Sequence, residues 1–312
     1  MAKVVEATAF GGPEVLTVVD EPVPAPGPGE VTIRVLAAAV NPIDYKIYSG
    51  LLGRDPATLP QRVGMELAGV VTAAGPGGPL TVGDEVIAYR RDLPGAYATE
   101  VTWAAEFVVP KPAGLNFAEA SGLLLTGSTA VHALTATGVR AGDTLLLHGA
   151  AGSLGRHVAQ LARVAGAEVI GTASPGRHDE LRACGVRPVA YGPGLADRVR
   201  ALAPGGVDAA IDAAGTDEAV DVSVALVADR ARIATLVAFG RAGARIQMLG
   251  TAPGATDRGD EVRRQAWPRL LELAADGRLH TAVARTFPLA DAARAHEFVA
   301  EGHAGGKVVL IP

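Results

Sequence analysis

The sequence predicts two domains of different classes: an α/β domain built on a doubly wound parallel sheet, and a smaller all-β, barrel-like domain. Three observations predict this. From residue 116 onward, short apolar runs alternate with stretches of helical periodicity, the rhythm of successive βα units. Before that point, short strand patterns are separated by turns rich in Gly, Pro and Asp. The length, 312 residues, suits about two domains.

Taken in order, strands are expected at residues 3–9, 15–19 and 31–40, separated by Gly11-Gly12-Pro13 and by the Pro-rich run 21–29. In the third, Val31, Ile33 and Val35 alternate with Thr32 and Arg34, as on a half-buried strand. A short helix over 42–49 follows, with Asn41 placed as N-cap and Pro42 at the first helical position. Further short strands are expected at 67–73, 85–88 and 106–109. The parallel sheet then draws on 145–148, 169–172, 188–190, 207–212, 232–236 and 245–249, with a helix over 260–275. The tail reads as a strand at 286–289, a helix over 291–301 and a strand at 307–311. It is expected to rejoin the first domain, giving 1–115 with 281–312 as one domain and 116–280 as the other.

Composition narrows the function classes. Hydrophobic residues make up 49% and charged residues 20%, enough to bury a large core. No apolar run reaches the roughly 18 residues of a membrane span, and MAKVVEATAF reads as a strand, not a signal peptide. A net charge of −5 without a basic tract argues against nucleic acid as partner. The single cysteine, Cys184, excludes an internal disulfide and a Cys-rich zinc lobe, and is expected to pack inertly on a helix. A cytoplasmic setting is the default expectation.

The stretch from Gly142 to His178 carries the chemistry. An apolar strand runs into Gly149-Ala150-Ala151-Gly152-Ser153-Leu154-Gly155. Val158, Leu161, Ala162 and Ala165 then recur at helical spacing, and a second strand follows. In such a βαβ unit the first turn and the helix N-terminus take a dinucleotide's pyrophosphate. Gly149 is assigned to the tight turn, Gly152 to close approach of phosphate, and Gly155 to packing of helix on strand. An NAD site usually carries an acid about 20 residues past the glycines. Here that place holds Gly171-Thr172-Ala173-Ser174, followed by Arg177 and His178. A hydroxyl and a guanidinium suit a 2′-phosphate, so Ser174, Arg177 and His178 point to NADPH over NADH. The competing reading makes Arg177 and His178 ordinary solvated residues at a helix start.

Several motifs then occur in a fixed order: Asn41-Pro42-Ile43-Asp44-Tyr45-Lys46, Gly64-Met65-Glu66-Leu67-Ala68-Gly69, Val82-Gly83-Asp84-Glu85-Val86, Thr126-Gly127-Ser128-Thr129-Ala130, the glycine turn, and Gly306-Lys307-Val308-Val309-Leu310. Over nearly its whole length the chain thereby resembles the medium-chain dehydrogenase/reductase superfamily, and within it the zinc-free quinone oxidoreductase (zeta-crystallin-like) branch. The resemblance implies a GroES-like first domain and a Rossmann second domain. Where the alcohol dehydrogenase branch carries zinc-binding Cys and His, this chain has Asn41-Pro42 and Met65, and no metal is expected.

Without a metal, hydride transfer needs an acceptor that is already electron-poor, a quinone or an α,β-unsaturated carbonyl. Asn41, Asp44, Tyr45, Lys46 and Tyr48 are the catalytic candidates. Asn41 would orient substrate or nicotinamide, or else cap its helix. Tyr45, Lys46 and Tyr48 would donate to the substrate oxygen, or else sit at the rim. Related quinone reductases carry Tyr where this chain has Lys46, and enoyl thioester reductases carry a Tyr near Leu52. The resemblance places the Thr126 hydroxyl near the nicotinamide ribose, with a helix N-cap as the plainer role, and Tyr191 near the adenosine phosphate. Ala213, Leu236 and Val237, at strand ends, are expected to give backbone contacts to the cofactor, as are Ala150, Ser153 and Leu154 in the turn. Lys307 would reach the cleft or merely flank the last strand. Loops 50–61 and 90–97 line the expected pocket and leave the substrate unspecified.

Three functions stand side by side: a quinone or enone reductase, a biosynthetic enoyl reductase on a carrier-bound or natural-product substrate, and an NADPH-binding protein without turnover. A homodimer is also expected. Arg245, Ile246, Gln247, Met248 and Leu249 read as an edge strand whose unpaired groups would pair with a second copy across a two-fold axis.

Overall fold

A computed structural model describes residues 1–92, 95–302 and 304–312. Leu93 and Pro94, in the 90–97 loop, and His303 lie outside the described residues. The chain divides into two compact units, Met1–Leu125 with His280–Pro312, and Thr126–Leu279.

The first unit opens with β1 (Ala2–Ala7), β2 (Leu16–Glu21), β3 (Glu30–Val40), α1 (Pro42–Tyr48), β4 (Gln61–Arg62), β5 (Glu66–Ala74), β6 (Glu85–Tyr89), β7 (Glu100–Ala104), β8 (Val108–Pro110) and α2 (Phe117–Ser121). β1 lies between β2 and β4 in a small antiparallel sheet. β3 organises the larger sheet: it pairs antiparallel with β5 on one edge and, through Glu30–Arg34, with β7 on the other. Its register shifts at Thr32/Ile33 and Val35/Ala37, the irregularities that let a long strand curve. Val31, Ile33 and Val35 are buried and Arg34 is exposed, as expected, but Thr32 is buried as well, so the alternation holds only in part. The strand expected at 106–109 is instead a short 3-10 turn, Ala105–Phe107, leading into β8. β7 was hidden by its Glu and Thr residues, although Val101 and Trp103 alternate into the core. The first unit runs to Leu125 because α2 packs on β3 and β5, and the Leu125 N–H donates to Glu66 Oε2 at 3.0 Å.

The second unit carries α3 (Leu124–Thr137, begun at the boundary), β9 (Thr144–His148), α4 (Ser153–Val164), β10 (Glu168–Thr172), α5 (His178–Ala183), β11 (Arg187–Val189), α6 (Leu195–Leu202), β12 (Ala209–Asp212), α7 (Asp217–Leu226), β13 (Ile233–Thr235), β14 (Gln247–Met248), α8 (Asp260–Gln265) and α9 (Trp267–Ala275). Among the described residues its strands form one parallel sheet in the order β11-β10-β9-β12-β13-β14. Strands buried on both faces explain the unbroken apolar runs: Leu145, Leu146 and Leu147 are fully buried. The helix expected over 260–275 is two helices, joined at Ala266. Pro268, in the first turn of α9, has no N–H to continue the ladder.

The edge strand expected at 245–249 is also corrected. Arg245 has a left-handed φ of 53° and β14 is two residues long. Its outer side is already covered by the same chain. Met248 N–H donates to Thr256 Oγ1 at 3.0 Å, and Met248 O accepts the Thr256 N–H at 2.7 Å. The unpaired edge on which pairing with a second copy was argued is therefore not there.

The chain then returns to the first unit as β15 (Val283–Pro288), α10 (Ala292–Ala300) and β16 (Lys307–Ile311). β16 pairs with the end of β3, Val308 opposite Val40, which brings Lys307 beside Asn41. Among the described residues, no helix is long and apolar enough to cross a membrane.

Candidate functional site

The glycine turn is held open by the ends of two strands. Gly149 has φ 74°, and its N–H donates to Thr172 Oγ1 at 3.1 Å, while the Ala150 N–H donates to Thr172 O at 3.1 Å. Thr172, the last residue of β10, thus shapes the turn after β9. A Cβ at Gly155 would stand 2.8 Å from Ala150 Cα, so this glycine lets the start of α4 lie close against the backbone of the turn itself, where packing of helix on strand was expected. Gly152 is different. Its φ is −72°, and an added Cβ would meet only Gly149 O, at an ordinary 3.4 Å. Nothing in the protein's own packing calls for glycine there. The clear space lies at the N-cap of α4, where Ser153, Leu154 and Gly155 present N–H groups that have no intrahelical acceptor. A bound anion would meet bare backbone and the positive end of the helix dipole. These residues fit a dinucleotide pyrophosphate.

The neighbouring strand ends are pinned by side chains that sequence reading missed. Asp212 Oδ1 accepts the Ala214 and Gly215 N–H groups at 2.8 and 2.9 Å, and Oδ2 accepts the Thr235 hydroxyl at 2.8 Å. Thr235 Oγ1 in turn accepts the Val237 and Ala238 N–H groups at 3.2 and 2.9 Å. The backbone at Ala213, Leu236 and Val237 is held at the carboxyl end of the sheet, with Val237 exposed. His148, at the end of β9, is buried, and loss of hydration pulls its imidazole down to about 4, so it is neutral at physiological pH. Thr126 lies inside α3, not at its N-cap.

The cluster assigned to the 2′-phosphate is brought together, but it is not idle. Ser174 precedes a 3-10 turn, Pro175–Arg177, and its side chain makes no cap. Arg177 Nη1 donates to Glu180 Oε1 at 3.0 Å. Glu180 Oε2 also accepts from Arg156 Nη2, and Arg156 Nε reaches back to Ala151 O at 3.0 Å. The His178 ring bonds Ala173 O at 3.2 Å. Tyr191 is 55% exposed. Cys184, expected to be packed, is exposed.

In the first unit a buried polar cluster joins β3, α1, β5 and β16. Lys307 Nζ donates to Asn41 Oδ1 at 2.8 Å and to Glu66 Oε1 at 2.9 Å. Asn41 Nδ2 donates to Glu66 Oε1 at 3.0 Å. Asn41 is the N-cap of α1, as expected, with Pro42 following it and its N–H bonded to the Asp44 carboxylate. The other expectation is corrected, because its side-chain amide is held by Lys307 and Glu66 and does not stand free to orient a ligand. Lys307 is corrected likewise: its ammonium, 2% exposed, is spent on an internal ion pair. Asp44 Oδ2 accepts the Asn41 N–H at 2.9 Å and the Tyr97 hydroxyl at 2.8 Å. Burial pushes the Asp44 carboxyl up to about 7, against the pull of its Tyr97 and Asn41 bonds. Asp44 therefore positions α1 and β3 and does not face solvent. Tyr48 is also corrected; it is 1% exposed and stacks edge-on with Tyr45 and His296 inside the core. Of the five catalytic candidates, Tyr45 and Lys46 are half-buried and keep part of their surface. Burial draws the Lys46 ammonium below its ordinary range. Glu66 and Tyr97, which complete the cluster, gave no local sequence signal; Glu66 was legible only as part of a motif.

Among the described residues no three His, Cys, Asp or Glu side chains stand together as a metal ion would need.

Comparison with known proteins agrees with this architecture. Residues 27–113 match the alcohol dehydrogenase GroES-like domain, and residues 188–310 match a family described as zinc-binding dehydrogenase. A quinone oxidoreductase of Pseudomonas aeruginosa is 34% identical, with all of both chains covered. A 2-haloacrylate reductase of Burkholderia is 33% identical over 97% of this chain and 96% of that one. The synaptic vesicle membrane protein VAT-1 homolog of mouse is 38% identical over 67% of this chain, and the match spans only 52% of that protein. Among solved structures, an NAD-dependent alcohol dehydrogenase superposes with a TM-score of 0.88 at 31% identity, covering 99% of each chain. Escherichia coli quinone oxidoreductase complexed with NADPH gives 0.85 at 27% identity, covering 99% of this chain and 100% of that one.

Proposed function

This chain belongs to the medium-chain dehydrogenase/reductase superfamily, among its quinone oxidoreductase-like members, and from that membership we propose that it is an NADPH-dependent reductase of quinones or activated C=C bonds. The observation that carries the reading is the glycine at 152, whose missing side chain is demanded by no neighbour in the protein. The pyrophosphate would lie across Gly149, Ala150, Gly152, Ser153, Leu154 and Gly155. Ala213, Leu236 and Val237 would border the nicotinamide and adenine, with Thr126 near the nicotinamide ribose and Tyr191 near the adenosine phosphate. Ser174, Arg177 and His178 would face the 2′-phosphate.

Bound NADPH supplies a hydride. The protein's part is to hold the acceptor's electron-poor carbon, exclude water, and offer a proton to the oxygen on which charge collects. Lys46 and Tyr45 are our candidates for that last role. A partly desolvated ammonium gives up a proton more readily than a solvated one. The buried Lys307–Asn41–Glu66 and Asp44–Tyr97 bonds fix the start of α1, which carries both side chains. Relatives named as quinone oxidoreductase and 2-haloacrylate reductase support an electron-poor acceptor as the substrate class.

A steady-state screen tests this. NADPH and NADH are paired with 1,4-benzoquinone, 9,10-phenanthrenequinone, 2-alkenals and enoyl thioesters. Turnover with quinones or alkenals supports the reading. Turnover with thioesters alone makes the chain a biosynthetic enoyl reductase, and cofactor binding without any turnover makes it a non-catalytic binder.

A further inference from the structure

We propose that Glu180 sets the balance between NADPH and NADH, because its carboxylate holds the two guanidiniums, Arg156 and Arg177, that a 2′-phosphate would use. The inference rests on the cofactor placement proposed above. It starts from where the two cations come from. Arg156 belongs to the first turn of α4 and is tied through Nε to Ala151 O in the glycine turn. Arg177 ends the short turn that follows β10. The glycine turn and the end of the second strand are the two segments that border the adenosine ribose in a βαβ cofactor site. Glu180 spans them, one carboxylate oxygen on each guanidinium.

The end of β10 lacks the acid that commonly receives the ribose hydroxyls of NAD, and Glu180 supplies one from α5. The bonds from Arg156 and Arg177 hold its carboxyl below the usual carboxylate range, so it is charged at neutral pH. A bare ribose can donate to that carboxylate. A 2′-phosphate carries roughly two negative charges near neutral pH, is repelled by the carboxylate, and competes with it for the same cations. Two guanidiniums less one carboxylate leave a net charge of +1 to meet the phosphate; removing the carboxylate leaves +2. The phosphorylated cofactor gains from that change, and the unphosphorylated one does not.

The experiment is a binding titration of wild type, Glu180→Gln and Arg177→Ala. The probes are NADPH and NADH, with 2′,5′-ADP and 5′-ADP to isolate the adenosine half. Glu180→Gln is expected to raise the NADPH-over-NADH affinity ratio roughly tenfold at low salt, by tightening NADPH and 2′,5′-ADP, and the gain should shrink in 0.5 M salt, a high-salt value of the order that screens surface charges. An unchanged or lowered ratio in Glu180→Gln overturns the proposal. If Arg177→Ala still loses NADPH preference in that case, the cofactor placement stands and only the role of Glu180 falls. If neither variant moves the ratio, the placement falls as well. Because these side chains lie at the surface, unchanged melting temperatures are expected in both variants.

Discussion

Asp44→Asn probes a carboxyl that burial moves into the neutral range. Asp44 is 3% exposed and carries a carboxyl pushed from 3.8 to about 7, first by lost hydration and secondarily by the nearby Glu66 charge. The sign follows from linkage. Below pH 3.8 both folded and unfolded chains hold the proton. Between that value and about 7 the unfolded chain releases it and the folded chain does not, so stability falls as pH rises. The slope approaches about 1.4 kcal/mol per pH unit, and the total is about 4 kcal/mol as an upper bound. Asp44, Tyr48 and Gln61 line a cavity of about 10 Å³, and each has a buried polar atom without a protein partner there or nearby. That is room for about one water, which would reduce the figure. Asn has nearly the same shape and no titration. The assay is urea unfolding of both proteins by circular dichroism, at unit pH steps from about 4 to 8, the window set by linkage. The stability of Asp44→Asn minus that of wild type should climb through this window and level off above about 7. A difference that stays flat would show that Asp44 is ionised throughout and refute the reasoning.

Gly152→Val should leave the fold and melting temperature near wild type, because an added Cβ meets only Gly149 O at 3.4 Å, yet abolish NADPH binding by calorimetry. Unaltered affinity would mean the pyrophosphate lies elsewhere. Lys307→Met should cost about 3 kcal/mol in urea unfolding by stranding the Glu66 carboxylate in the core, and Lys307→Met with Glu66→Gln should recover much of it. Equal losses in the single and double variants would contradict the ion pair's role. Treatment with EDTA should leave melting temperature and turnover unchanged, whereas stoichiometric zinc by elemental analysis, with activity lost on its removal, would contradict the expected metal independence.

What was legible in the sequence is what depends on near neighbours. The glycine turn and its flanking strands are set by residues within a few positions of one another, and the parallel sheet follows from the repeated strand–helix rhythm. The chemistry around α1 was not legible in the same way. The place of Asn41 as N-cap of α1 was legible from its near neighbours, but where its side-chain amide goes was not. Its actual partner, Lys307, is 266 positions away and arrives only because β16 pairs with the end of β3. The edge at 245–249 failed for a related reason: the apolar pattern was real, but its cover comes from Thr256 and Asp257, in a stretch with no strand signal of its own.

The cofactor cluster shows a different kind of blindness, one that distance does not explain. Arg177 and Glu180 are three residues apart, within reach of each other on any helical turn. In sequence Glu180 gives no cofactor signal, since an acid in the first turn of a helix has an ordinary explanation, its favourable interaction with the helix dipole. That explanation is sufficient for Glu180 taken alone. It becomes insufficient once Arg156 is found on the other carboxylate oxygen, since a residue placed only for the dipole has no need of a second guanidinium from another helix. The preference for NADPH argued from a missing acid at the end of β10 therefore has to be restated. An acid, Glu180, stands eight residues after the end of β10, in the first turn of α5 and already paired, and on the proposal above cofactor choice would turn on how tightly the two arginines hold it.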